Sequence, residues 1–307
     1  MKIKIQIVMS VFLLSLGICP LAWAAKTEKI MIAVQPTSTP EQLSLQAREL
    51  EDFLAKELGQ EVEIMFPTTY AGVIESLRFG HAQVAFMGAW PALLATKHAK
   101  ARVILAEIRD VIIEKDNKEM PYYYSYWVVP KASPHSTLQD LKGKRVAFSS
   151  PMSTSGYVAP LAKLVELELL TPQDGKVDPR NFFGEVFFAG GYAQAWEALK
   201  AGQVDAAIIA GDVAQTLYNE VLANTKILES QGPIPSHVVV IAAQADKDFE
   251  SKIVNAFLKL NNPEYQNLMK KFISGIFIRF EPATDAHLKS LDHMLQLTGM
   301  EYKEKGK

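Results

Sequence analysis

The chain has 307 residues, 49% of them hydrophobic, with 32 basic and 34 acidic side chains and a single cysteine. That length and apolar content support a buried core and two domains, and the near balance of charge without basic runs excludes a charge-driven nucleic-acid partner. The only cysteine, Cys19, excludes an intramolecular disulfide.

The first stretch reads as a secretory signal. Lys2 and Lys4 precede an apolar run from Ile5 to Ile18, and "LAWA" ends in small residues at Ala22 and Ala24, which predicts cleavage after Ala24. The apolar run of about 14 residues is shorter than the roughly 20 of a spanning helix. Ile18 before Cys19 argues against lipoprotein processing, which wants a small residue there. Removing Lys2 and Lys4 from the 32 basic residues leaves 30 against 34 acidic ones, a mildly acidic periplasmic protein.

Beyond the signal, short apolar runs alternate with amphipathic stretches, the pattern of α/β architecture. "KIMIAV" (Lys29 to Val34) is the first strand, and a helix follows from Pro40 to Leu58, apolar at Leu43, Ala47, Leu50, Leu54 and Leu58 with Gly59 just past its end. Then come "VEIMF" as a strand, a helix from Ala71 to Phe79, "VAFMG" as a strand, a helix from Pro91 to His98, and "VILAEI" as a strand. "YYYSYWVVP" (Tyr122 to Pro130) is aromatic and β-branched and reads as a long strand, after which the alternation restarts. Its second round is "RVAFSS", a helix from Ser155 to Leu170, "EVFFAG", a helix from Tyr192 to Ala201, "DAAIIAG", a helix from Asp212 to Ala223, and "HVVVIAA". The tail from Asp248 to Leu297 is expected to be mostly helical. The expected organisation is a signal peptide at 1–24, one α/β lobe from 25–124 plus 238–307, and a second from 125–237, joined by two crossing strands with hinges near Tyr124 to Val129 and Pro235 to Val240.

An internal comparison supports two matched lobes. "YAGVIESLRFGHAQVAFMGAW" (Tyr70 to Trp90) lies without gaps over "YAQAWEALKAGQVDAAIIAGD" (Tyr192 to Asp212), and Tyr, Ala, Glu, Leu, Gly and Ala coincide at 70/192, 71/193, 75/197, 77/199, 80/202 and 85/207. Each half carries a tyrosine at a helix start and a strand whose end delivers a residue 20 positions later. Strand ends and neighbouring helix starts line the ligand crevice of open α/β sheets, so two such units facing each other make a cleft.

The stretch richest in chemistry is "SSPMSTSGYVAP". Ser153, Thr154, Ser155 and Gly156 stand where a strand hands over to a helix. A helix start presents unpaired N–H groups and partial positive charge, the hydroxyls add donors, and Gly156 lets backbone approach closely. One serine is an N-cap, and the rest exceed what capping needs. The set suits a tetrahedral oxyanion held without formal charge, and it lacks the nucleotide phosphate-loop pattern.

With "TYAGVIESLRFGHAQVAFMG" and "FFAGGYAQAWEALKAGQVDAA", this stretch resembles the substrate-binding proteins of ABC transporters for phosphonate, phosphite and phosphate, in the family's order and over nearly all of the chain after the signal. The resemblance implies a two-lobed Venus flytrap with Ser153, Thr154, Ser155 and Gly156 on the oxyanion, Tyr70 contributing a phenol from the opposite lobe, and Ser125 another hydroxyl. Family members frequently carry histidine where Tyr192 stands, and a phenol donates a hydrogen bond but does not become cationic near neutral pH. Asp212 stands where aminoalkylphosphonate binders carry an acid facing the ligand's ammonium; it reads equally as a helix N-cap. A second acid, expected near "GPIPSH", is not evident, with Ser236 or His237 there instead. Trp90 either walls the cleft against a small substituent or packs in the core beside Pro91.

The implied function is capture of a phosphorus oxyanion by a monomer that delivers it to an inner-membrane ABC permease, the lobes closing over the ligand. A membrane sensor or chemoreceptor is the alternative partner, with the same cleft chemistry. No cofactor or metal is expected: the six histidines, His81, His98, His135, His237, His287 and His293, lack metal-ligand spacing. No Gly-x-Ser-x-Gly elbow argues for a hydrolase.

Overall fold

Strands covered by helices on both faces need side chains that are apolar in both directions, and the runs described above fold accordingly. The computed structural model describes residues 29–36, 40–113, 116–272 and 275–300. The expected signal segment, with Cys19, lies outside them. In chain order the first sheet takes β1 (Ile30–Val34), β2 (Val62–Met65), β3 (Val84–Met87), β4 (Arg102–Ile113) and β5 (Asp116–Met120). Helices α1 (Pro40–Leu58), α2 (Tyr70–Arg78) and α3 (Ala89–His98) intervene. The chain crosses at Pro121 and builds a second sheet from β6 (Tyr122–Pro130), β7 (Arg145–Phe148), β8 (Glu185–Phe188), β9 (Ala206–Ala210) and β10 (Thr225–Pro235). Here the helices are α4 (Ala159–Glu166), α5 (Tyr192–Lys200) and α6 (Gln215–Asn224). It returns through Ser236 and His237 to the first sheet as β11 (Val238–Ile241), α7 (Lys247–Leu258), α8 (Gln266–Phe272), β12 (Phe277–Pro282) and α9 (Asp292–Thr298).

The result is a two-lobed mixed α/β fold. The first sheet runs β12-β4-β11-β3-β1-β2 with β5 on β4, and the second runs β10-β6-β9-β7-β8. β1 is parallel to β2 and β3, whereas β11 is antiparallel to β3 and β4; in the second sheet β7 is parallel to β8 and β9, and β6 antiparallel to β9 and β10. Alternation within β1 shows why it is buried on both sides. Ile30, Ile32 and Val34 join Leu50 and Leu54 of α1 and Phe257 of α7, while Ala33 joins Val73 and Leu77 of α2. The latter cluster continues through Tyr123 and Trp127 to Phe148, Leu161 and Ile208, so the two lobes share one apolar seam.

The repeat is structural. Its two copies are α2–β3 and α5–β9, and Gly80 and Gly202 both turn at positive φ (75° and 69°), where a side chain would be strained.

Several element bounds differ from expectation. The helix expected from Ser155 to Leu170 opens with a π-type turn, Thr154–Val158, and α4 stops at Glu166. The helix expected from Asp212 begins at Gln215. The chain crosses between the sheets at Pro121, just ahead of the segment near which the first hinge is expected. The tail contains β12, and β5 and β10 were not anticipated. β10, "TKILESQGPIP", is an edge strand whose charges, glycine and prolines hide it from a hydropathy pattern. Within the stretch expected to belong to the first lobe, the last described elements face both lobes. A 3₁₀ stretch, Asp285–Leu291, rests on α3, but α9 rests on α4, and the Val177 N–H donates to the Thr298 carbonyl (3.1 Å).

Candidate functional site

Ser153 leaves β-like backbone (φ −80°, ψ 126°), and its Oγ accepts from the Gly156 N–H at 3.0 Å, so it is the N-cap of the π-type turn. Thr154 and Ser155 open that turn, where a helix lacks intrahelical acceptors for its N–H groups. All three hydroxyl residues are buried. Gly156 is required by space: a Cβ there would overlap Ser149 Oγ and lie 2.8 Å from Ser153 Oγ.

The hydroxyls form a chain. Tyr123 OH donates to Ser155 Oγ (2.8 Å), Ser155 Oγ meets Tyr192 OH (2.6 Å), and Tyr192 OH meets Ser153 Oγ (3.1 Å). Either partner can donate in the two Tyr192 contacts; because a hydroxyl has one proton, a relay running from Tyr123 through Ser155 and Tyr192 to Ser153 would leave the Ser153 proton unspent. Tyr70 OH and Ser149 Oγ are buried and make no well-formed hydrogen bond among the described residues, although both Ser153 and Ser149 stand beside the Tyr70 phenol. Burial holds the Tyr70 and Tyr123 phenols far above their ordinary range and pushes Tyr192 up to about 12, so all three remain neutral donors at physiological pH.

Both lobes contribute helix starts. Tyr70 opens α2 after the Thr69 N-cap, Tyr192 opens α5 after Gly191, and the Trp90 N–H in the first turn of α3 donates to Thr154 Oγ1 across the lobes at 2.7 Å. With the π-type turn this brings four positive helix ends together. The Trp90 side chain is buried, and it borders a hollow between the lobes with Met152, Tyr157 and Met300. Ser125, also buried, donates to the Ser155 carbonyl (2.8 Å) and accepts from Gln231 Nε2 (2.9 Å). It spends its proton bracing the turn.

Asp212 is not a helix N-cap, since α6 is preceded by Ala214. Its Oδ2 lies 2.8 Å from Arg109 Nη1 and 3.4 Å from His237 Nε2, and the residue is buried. Arg109, fully buried on β4, donates from Nε to Glu107 Oε2 at 2.7 Å and stacks over the Tyr123 ring with its guanidinium carbon 4.2 Å from the centroid. One cation thus serves two carboxylates, and burial pushes Glu107 up to about 7 and raises Asp212 as well, both against the pull of Arg109. Burial, reinforced by Arg109, holds His237 neutral, well below its usual range.

Sequence reading located the hydroxyl cluster, Tyr70, Tyr192 and Asp212, which the fold brings together, but missed Glu107, Arg109, Tyr123, Ser149 and Gln231. A signal existed for two of them. In "VILAEIRDVII" an acid and a base sit two apart, hence on one face, inside an otherwise apolar strand.

The sequence matches, over residues 32–288, the family described as periplasmic phosphonate substrate-binding proteins of ABC transporters. The chain belongs to this family. Among its curated relatives is the phosphate-import protein PhnD of Mycolicibacterium smegmatis, 29% identical over 180 residues, which cover 58% of this chain and 54% of that protein. The chain spans about half the length of the curated relatives it matches. Solved structures share the fold, among them the following two. The binding-protein component of an ABC phosphonate transporter from Pseudomonas aeruginosa is 20% identical, with a TM-score of 0.75 over 87% of this chain and 85% of that one. PhnD1 of Prochlorococcus marinus, in complex with methylphosphonate, is 17% identical, with a TM-score of 0.71 over 87% and 97%.

Proposed function

We propose that this protein captures a phosphorus oxyanion, namely a phosphonate, phosphite or phosphate, between its lobes and hands it to an ABC permease in the inner membrane. One observation carries the reading. Buried hydroxyls at Ser153, Tyr70 and Ser149 meet the starts of helices from both lobes, while Arg109, the nearby cation among the described residues, is already ion-paired. Neutral donors and helix dipoles hold a tetrahedral anion firmly and still release it, which a transport step needs. Membership of a family of periplasmic binding proteins and the methylphosphonate held by the Prochlorococcus protein support the ligand class.

In this reading Ser153, Thr154, Ser155, Gly156, Tyr70 and Tyr192 surround the oxyanion, Trp90 walls the site, and Ser125 holds the turn in place. The lobes part at Pro121 and at Ser236–His237, and ligand contacts from both lobes favour the closed form. No reacting bond is involved: the protein is a periplasmic carrier, exported by the signal at 1–24, and not an enzyme.

The test is calorimetry with methylphosphonate, phosphite, phosphate and sulfate on the chain and on a variant with Ser153, Thr154 and Ser155 all changed to alanine. Binding of at least one phosphorus oxyanion, abolished in a folded triple variant, is expected. Unchanged affinity in that variant, or binding of sulfate alone, refutes the assignment.

A further inference from the structure

The paired state of Asp212 bears on what the ligand carries besides its oxyanion. Asp212 follows β9 in the second lobe, and Arg109 lies on β4 in the first, so their 2.8 Å contact bridges the lobes. Arg109 is held from three further sides: Glu107 at Nε, the Tyr123 ring beneath its plane, and the burial of the whole side chain. Tyr123 in turn donates to Ser155 Oγ, which places the guanidinium one residue from the oxyanion hydroxyls.

A ligand ammonium needs, close to the oxyanion, an acidic group that no buried cation already neutralises. Among the described residues the acids near these hydroxyls are Asp212 and Glu107, and both are ion-paired with Arg109, although Glu107 Oε1 accepts no hydrogen bond. An ammonium entering there must displace a buried guanidinium from its carboxylates or sit against a cation, and either course leaves a buried charge uncompensated.

We propose that Arg109 is the specificity-determining residue of this site, a built-in cation occupying the acidic subsite so that the protein takes phosphorus oxyanions without an amine and rejects aminoalkylphosphonates. This rests on the phosphorus-oxyanion reading above and narrows it. The acid of Asp212 then serves to hold Arg109 across the closed cleft, and the ligand meets only neutral donors and the apolar wall of Trp90.

The experiment compares methylphosphonate with 2-aminoethylphosphonate by calorimetry. The chain as it stands is expected to bind methylphosphonate at least ~100-fold more tightly, the factor expected from breaking a buried pair. Arg109→Met frees both carboxylates and is expected to narrow that ratio at least ~10-fold, mainly by a gain for the amine. The double variant Glu107→Gln with Arg109→Met leaves only Asp212 charged and is expected to do the same, which keeps the test open if two unneutralised carboxylates prevent folding. Equal binding of the two ligands by the unaltered chain overturns the proposal and leaves the phosphorus-oxyanion reading standing, as does a ratio unmoved in a folded variant. Binding of neither ligand, nor of phosphite or phosphate, overturns both.

Discussion

Gly156 is the position where one methyl group tests the geometry of the site most directly. An alanine Cβ would overlap Ser149 Oγ, approach Ser149 Cβ to 2.9 Å and Ser153 Oγ to 2.8 Å. Rotating the Ser149 hydroxyl relieves the first clash but not the other two. Ser149 Cβ is fixed at the end of β7, and Ser153 Oγ is held as the cap by the Gly156 N–H itself. The turn must therefore move. Overpacking of this kind costs ~1–3 kcal/mol, a fall of roughly 2–5 °C in Tm for a chain of this size. Because the moving segment carries all three hydroxyls, ligand affinity should drop along with stability, ~10-fold or beyond for methylphosphonate. Thermal melts with and without ligand separate the two effects. Adding Ser149→Gly to Gly156→Ala removes both Ser149 contacts and should restore most of the lost Tm. A Gly156→Ala protein that melts and binds like the parent would refute the packing described for this turn.

Two further outcomes follow from the hydroxyl relay and the buried charges. Tyr192→Phe deletes the links to both Ser153 and Ser155, costing ~1–2 kcal/mol by denaturant unfolding and weakening methylphosphonate ~5–10-fold; unchanged midpoint and affinity would show that the relay is incidental. Glu107 is held up to about 7 by burial, so the folded state binds a proton that the unfolded state releases above its ordinary range near 4.5. Its contribution is therefore full below about 4.5 and is lost as pH rises through about 7, and relative to Glu107→Gln the parent should lose Tm across that window. His237, held neutral by burial, acts in the opposite sense on acidification, which is why the comparison with Glu107→Gln is needed; a Tm difference flat with pH would mean that Glu107 is ionised throughout.

The fold was legible where one side-chain period dominates. α1 spans Pro40–Leu58 as its 3.6-residue spacing and Gly59 require, and β6 spans Tyr122–Pro130 as its aromatic and β-branched run requires. The hydroxyl cluster was legible because small polar residues following a buried strand are conspicuous. The Glu107–Arg109 spacing inside β4 was visible, but the Arg109–Asp212 pair was not, since it joins positions about a hundred residues apart through the meeting of two sheets, which no local pattern encodes. The N-cap reading of Asp212 failed for a related reason: the carboxylate was claimed by a distant guanidinium, and the chain runs three residues further before α6 begins.

The tail that rests on α4 adds a third connection between the lobes. Besides the two crossings at Pro121 and Ser236–His237, the Val177–Thr298 hydrogen bond and Gly299, packed where a Cβ would strike the Gly175 carbonyl, tie the end of the chain to the second lobe. Two crossings side by side make a hinge, whereas a third attachment away from them makes a latch. In the opening proposed above, a rotation of the lobes would have to peel α9 off α4, so a seven-residue helix that also touches the π-type turn would bear on how often the cleft admits a ligand.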